Sequence, residues 1–214
     1  MKPIVLLSDA RITEFPVREC GEPLVDLRDI EPIRLDTRLA DDDGAYARVR
    51  ATVADRLVAA QTQLPRGIRL LVIEGYRPAG LQERYFADSV DQLRAAHPGW
   101  TREQAHTEAA RYISPPEIGP HVSGAAVDLT LCTASGVELP MGTEVNATPL
   151  SGDGACYTDS LEIPAEAVEN RRILRVAMTA VGFVNYPTEW WHWSYGDRYW
   201  AFASEARHAH YGTL

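Results

Sequence analysis

Apolar residues recur at spacings of three and four between Gly44 and Leu64. Tyr46, Val49, Val53, Leu57, Ala60 and Leu64 fall on one face of a helix. Asp41, Asp42 and Asp43 put negative charge at its start, where the helix dipole favours it, and Pro65 and Gly67 close it. Residues 68–73 form a short apolar run bounded by turn residues, too short for a helix, which predicts a buried strand. Pro78 suits the first turn of a helix over residues 79–93. Thr101-Arg102-Glu103-Gln104 opens another helix, reaching to about Tyr112. Three prolines between Ser114 and Pro120 forbid regular structure there. Residues 124–131 alternate as a central strand does, with Ala126, Asp128 and Thr130 on one face and Val127, Leu129 and Leu131 on the other. A long Gly-, Ser-, Thr- and Pro-rich loop over residues 133–163 is expected to lie across a functional site. A helix over 164–181 stops at Gly182, strands follow at 183–185 and 191–195 around a turn at Tyr186-Pro187, and a last helix begins near Tyr199.

The strands do not alternate strictly with helices. That pattern predicts an α+β fold with a central, mainly antiparallel sheet flanked by helices. The 214 residues suffice for one domain over 1–214, with the irregular, Pro- and acid-rich residues 1–43 wrapping around it and adding one or two short strands. A formal net charge of -9, with lysine nearly absent and arginine scattered, excludes a nucleic-acid partner. The apolar run Ile4-Val5-Leu6-Leu7 is shorter than the roughly 7–15 residues of a signal-peptide core. No run approaches the ~18–20 apolar residues of a membrane span. Cys20, Cys132 and Cys156 make no CxxC pair, so neither a thiolate zinc site nor a disulfide framework is indicated. These features predict a cytoplasmic protein that does not bind a membrane.

Two segments could carry chemistry. Glu189-Trp190-Trp191-His192-Trp193 sets a carboxylate and an imidazole three residues apart among three tryptophans, and His121 and Asp128 flank Gly124 upstream. Catalytic zinc takes three protein ligands from His, Asp and Glu and keeps a fourth position open, which His121, Asp128 and His192 could supply. Taken singly, His192 also reads as a hydrogen-bonded core histidine and Asp128 as a structural carboxylate, although a strand aspartate between apolar neighbours needs a partner. Glu189 could serve as general base, its pKa raised by tryptophans that exclude bulk water, or it could be a surface turn residue. Arg77, at the end of a buried strand, could stabilise a developing oxyanion or pair with a structural carboxylate. Ser123 makes no triad signature, and His97, His106, His208 and His210 read as surface residues.

At these residues the chain resembles the D-alanyl-D-alanine dipeptidases, zinc metallopeptidases related to D,D-carboxypeptidases and the Hedgehog signalling domain. Gly75-Tyr76-Arg77-Pro78, the segment from His121 to Leu131, and the segment from Arg171 to Trp193 resemble three family elements in order, covering the chain from about residue 45 onward. The resemblance implies one Zn2+ per chain held by His121, Asp128 and His192, Glu189 as catalytic base and Arg77 as oxyanion stabiliser. The implied reaction is attack of zinc-bound hydroxide on a dipeptide carbonyl, with Glu189 passing the proton to the leaving amine.

The sequence departs from the family where substrate is recognised. Gly119 stands where the family has Ser, and Asn146 where it has an Asp that helps bind the substrate ammonium; Glu144, two residues away, points to the other face of an extended segment. The family's early Tyr-Ala-Thr…Asn-Phe element has no counterpart in residues 36–44. The expected function is a zinc dipeptidase acting on a small D-amino-acid-containing or modified dipeptide. The alternatives are a family member repurposed to hydrolyse or rearrange an amide in a specialised metabolite, and a zinc-stabilised binding module without catalysis. A pure binder needs neither Glu189 nor Arg77.

Overall fold

The computed structural model describes residues 4–110, 113–115, 118–147 and 154–214. Its elements in chain order are α1 (Ala10–Thr13), β1 (Leu24–Asp26), β2 (Arg34–Leu35), β3 (Arg48–Arg50), α2 (Ala51–Gln63), β4 (Ile68–Glu74), α3 (Ala79–Ala96), α4 (Arg102–Ala109), β5 (Ala126–Thr133), α5 (Ala165–Ala180), β6 (Val184–Asn185), β7 (His192–Ser194) and α6 (Arg198–Ala203). Short 3₁₀ turns lie at Leu27–Asp29, Ala45–Ala47 and His121–Ser123. Five strands form one sheet in the order β2-β4-β5-β7-β6, and β1 pairs with β3 in a separate ribbon. In the main sheet only the β2–β4 pair is parallel. The fold is the α+β arrangement with a mainly antiparallel sheet that the pattern of elements predicts.

β5 organises the packing. Val127, Leu129 and Leu131 enter the main core with Leu57 of α2, Leu70 and Val72 of β4, and Leu174 and Met178 of α5. Each such side chain fully removed from water contributes roughly 1.5–3 kcal/mol before conformational entropy is set against it. The opposite face of the same strand is left to Ala126, Asp128 and Thr130. The α3–α4 hairpin has a smaller core of its own, built from Phe86, Val90, Leu93, Ala105 and Ala109. A capping box starts α4: the Thr101 hydroxyl accepts from Gln104 N at 3.1 Å, and Thr101 N donates to the Gln104 side chain at 2.8 Å.

The helix expected over residues 44–64 begins only at Ala51. Residues 45–47 form a 3₁₀ turn and residues 48–50 a strand, with Val49 opposite Val25. Tyr46 and Val49 still reach the interior, so their spacing matches a helix while the β1 partner takes the backbone. The acidic run caps the 3₁₀ turn instead, with Asp41 accepting from Ala45 N and Tyr46 N. α3 extends three residues beyond Leu93, to Ala96. α4 ends at Ala109, short of the expected end near Tyr112; residues 111–112, residues 116–117 and 148–153 of the two expected loops, and residues 1–3 lie outside the described residues. Val17 bridges Ala209, and Leu7 N donates to the Tyr186 hydroxyl at 3.3 Å, tying residues before β1 to the opposite end of the chain. Among the described residues no helix is long and apolar enough to cross a membrane.

Candidate active site

The site forms where β4, β5 and β7 lie side by side. Asp128 on β5 is in register with Glu74 on one neighbour and His192 on the other. The Glu74 pairing depends on a bulge. Val72 opposes Leu129 but Glu74 opposes Asp128, so Ile73 is an extra residue on β4. In a regular ladder without the bulge, Ile73 would oppose Asp128, and Glu74 would oppose Val127 and point into the apolar core. His121 arrives from the 3₁₀ turn ahead of β5, and the turn ends at Gly124 with φ +71. A side chain at Gly124 would combine that left-handed backbone with a Cβ only 2.5 Å from Leu24 Cδ2.

His121, Asp128 and His192 are all buried, and their donor atoms form a small triangle. His121 Nε2 lies 3.2 Å from His192 Nδ1 and 3.3 Å from Asp128 Oδ1, and His192 Nδ1 lies 3.0 Å from Asp128 Oδ1. Tetrahedral zinc with bonds of about 2.0–2.1 Å has ligand–ligand edges of about 3.3 Å, so the three atoms fit one face of such a site. The other nitrogen of His121, Nδ1, is 2.7 Å from the Gly75 carbonyl. Donation to that carbonyl leaves the Nε2 lone pair facing the triangle. In the metal-free protein, burial opposes charge on both His121 and Asp128, but their mutual attraction outweighs it. His121 is held above the ordinary imidazole value and Asp128 well below the usual carboxylate range.

Glu189 sits in the turn between β6 and β7, with Oε2 3.9 Å from His192 Nδ1 and its side chain 20% exposed. Burial pushes its carboxyl up to about 7; His192 and Arg77 oppose the rise and Asp128 adds to it. Asn185 holds this turn, donating from Nδ2 to the Glu189 carbonyl at 3.0 Å and the His192 carbonyl at 2.9 Å, while its Oδ1 accepts from the Thr158 hydroxyl. Arg77 follows the bulge. Its Nε donates to Glu74 at 2.8 Å, one terminal nitrogen donates to the other Glu74 oxygen, and the second donates to Gln82 at 2.7 Å. Arg77 therefore both faces the cleft and pairs with a carboxylate. The sequence pattern did not mark Glu74, Gln82 or Asn185, and Gly75 entered only as part of the Gly75-Tyr76-Arg77-Pro78 element. The one available signal was a glutamate ending an otherwise apolar strand beside Arg77.

Of the three tryptophans only Trp191 lines the cleft. Trp190 and Trp193 belong to the main core, so the expected wall around Glu189 is one ring thick. Their indole N–H groups fasten the segment from behind, Trp190 to the Thr143 hydroxyl at 2.8 Å and Trp193 to the Trp190 carbonyl at 3.1 Å. Arg77, His121, Asp128, Glu189 and His192 all line one cleft of about 700 Å³. Gly119 and Asn146 line it too, Asn146 with φ 63, whereas Glu144 does not. A Cβ at Gly119 would meet nothing closer than Gln82 Cδ at 3.6 Å, so the cleft has room for a side chain there. His97, expected on the surface, is exposed but lines the far end of the cleft, stacked on Trp100 at 4.0 Å. Ser123 donates to the Pro120 carbonyl at 2.6 Å.

The chain matches the Peptidase_M15 family model, described as D-ala-D-ala dipeptidase, over residues 37–211, which begins ahead of the motifs themselves. It is 29% identical over 235 residues to a D-alanyl-D-alanine dipeptidase of Synechocystis sp., covering 94% of this chain and 95% of that one. It is 32% identical over 146 residues to a D-alanyl-D-alanine dipeptidase of Streptomyces coelicolor, covering 60% of this chain and 62% of the other. A crystal structure of the vancomycin resistance D,D-pentapeptidase VanY in complex with Zn(II) aligns with a TM-score of 0.44 at 18% identity, covering 78% of this chain and 84% of that one. On a family match that spans most of its length, the chain belongs to the Peptidase_M15 family of D-ala-D-ala dipeptidases and is a metallopeptidase.

Proposed function

We propose that the protein hydrolyses D-Ala-D-Ala or a closely related small dipeptide, with one Zn2+ held by His121, Asp128 and His192. The observation that carries this reading is the triangle of donor atoms 3.0–3.3 Å apart with the Glu189 carboxylate 3.9 Å from one of them. The relatives named D-alanyl-D-alanine dipeptidases support the substrate. Zinc bound there supplies Lewis-acid polarisation of the scissile carbonyl and lowers the pKa of water.

The remaining work falls to the chain. Glu189 takes the proton of the attacking water and delivers it to the leaving nitrogen, a role suited to a carboxyl poised near neutrality. Arg77 engages three of its five N–H groups with Glu74 and Gln82 and lines the cleft, which leaves two to meet the carbonyl oxygen as negative charge develops on it. Asn185 keeps Glu189 and His192 at a constant separation by gripping both carbonyls. The test is metal analysis with a dipeptide hydrolysis assay on wild type and Glu189→Ala. About one zinc per chain and loss of D-Ala-D-Ala hydrolysis in the variant are expected; absence of zinc, or full activity in Glu189→Ala, refutes the proposal.

A further inference from the structure

Leu7 reaches the cleft from a part of the chain that supplies no other lining residue. Among the described residues it is the only one lining the cleft ahead of residue 37, where the family match begins. It is 7% exposed and packs with Ile12, Tyr186 and Tyr199 in a small core separate from the main one. The chain beyond it is fastened to the far end of the protein. Phe15 meets Phe202 edge-on at 6.5 Å, and its carbonyl accepts from Arg198 Nε at 3.2 Å. Arg18 N donates to the Ala209 carbonyl at 2.9 Å. A side chain held this way is a fixed wall, because moving it opens a packed core.

The sheet order places this wall relative to the scissile bond. Leu7 N donates to the Tyr186 hydroxyl at 3.3 Å. Tyr186 opens the turn that carries Glu189. Its carbonyl accepts from Glu189 N at 2.9 Å, its N donates to the His192 carbonyl at 3.1 Å, and its ring meets the His192 ring edge-on at 6.1 Å. Leu7 is therefore one side chain removed from the β6–β7 turn. Arg77 follows β4, on the other side of β5. With Arg77 on the carbonyl oxygen and Glu189 serving the leaving nitrogen, the acyl residue lies toward β4 and the leaving residue toward Leu7. Leu7 offers that residue hydrocarbon alone, so a charged side chain there loses water without gaining a partner. A bulky one must displace a residue that its own core holds in place.

We infer that Leu7 is a specificity-determining residue on the leaving-group side, restricting the C-terminal residue of the dipeptide to a small apolar side chain. The inference rests on the proposed hydrolytic reading for its direction.

The test measures kcat/KM of the zinc-loaded full chain for D-Ala-D-Ala, for D-Ala-D-Val, enlarged on the leaving side, and for D-Val-D-Ala, enlarged on the acyl side. Wild type should favour D-Ala-D-Ala over D-Ala-D-Val at least about tenfold, the scale on which one or two carbons discriminate in an apolar pocket. Leu7→Ala should bring that ratio toward one, and Leu7→Phe should widen it. Leu7→Val, which keeps most of the packing, should act as Leu7→Ala does but by less. None of the three should move the ratio of D-Ala-D-Ala to D-Val-D-Ala. Opposite shifts confined to one substrate pair separate specificity from loss of folding, which lowers all rates together. Calorimetry of the same dipeptides on zinc-loaded Glu189→Gln reads the contact without turnover. Equal turnover of D-Ala-D-Val by wild type, a leaving-side ratio unmoved by the substitutions, or a shift in the acyl-side ratio instead overturns the inference while leaving hydrolysis intact. Turnover of no dipeptide, with Leu7-dependent discrimination retained in binding, sinks the hydrolytic reading but supports the role of Leu7; binding of none of them ends both.

Discussion

Replacing Glu74 by Gln tests whether Arg77 acts because it is held. Glu74 is 2% exposed and accepts from two nitrogens of Arg77, whose side chain is 12% exposed. The amide is isosteric, but it turns one of those two contacts into N–H facing N–H and removes the charge opposite a nearly buried guanidinium. Removing one partner of a buried pair costs roughly 3–5 kcal/mol. Arg77 keeps its Gln82 contact and an edge on the cleft, which places the loss at the lower end, about 3 kcal/mol. For a chain of this length that corresponds to a Tm lower by about 6–12 °C. If the clamp orients Arg77 toward a charge that exists only in the transition state, kcat should fall by about 10²–10³ with KM little changed. The assay is steady-state hydrolysis of D-Ala-D-Ala well below the lowered Tm, with zinc content measured on the same sample. Arg77→Ala and the double variant complete a cycle, and strongly non-additive losses are expected because the two residues act as a unit. A Glu74→Gln enzyme within about threefold of wild-type kcat, beside an Arg77→Ala enzyme down by orders of magnitude, would refute the positioning argument.

Other outcomes follow from the same geometry. Glu189 must be ionised to accept a proton, so kcat/KM should rise with pH through its pKa; burial lifts that value toward about 7 and bound cation pulls it back, placing the acid limb between the ordinary glutamate value of 4.5 and about 7, as a pH–rate profile reads. Chelation should lower Tm reversibly, since free zinc at ~1,000 times its Kd stabilises by about 4.1 kcal/mol, or about 8–16 °C here; scanning calorimetry with and without chelator checks it. Gly75→Ala would place a Cβ 2.5 Å from the Arg48 carbonyl oxygen and displace the carbonyl that orients His121, so a loss of about 1–3 kcal/mol in denaturant unfolding and weaker zinc retention on dialysis are expected.

The comparison of sequence with structure divides along physical lines. The alternation of β5, the apolar run of β4 and the Gly182 stop after α5 are local signals, and each element lies within a few residues of its predicted position. Residues 45–50 carry a helical spacing yet become a turn and a strand, because pairing with residues 24–26 is invisible to a local window. The three tryptophans are equally apolar in sequence and all three join the main core, but the chain's path through the β6–β7 turn brings only Trp191 to the cleft as well.

By itself the sequence determined which side chains exist to do chemistry: two histidines, an aspartate, a glutamate and an arginine, in motifs that resemble those of a peptidase family. Only the tertiary structure decided how they meet. Register across β4, β5 and β7 aligns Glu74, Asp128 and His192, and the bulge at Ile73 keeps Glu74 facing the site, where it grips Arg77, rather than the core. Such register is set by backbone hydrogen bonds between strands distant in sequence. The width of the cleft along α3 is likewise set by where a helical hairpin with its own small core comes to rest, which no local pattern records.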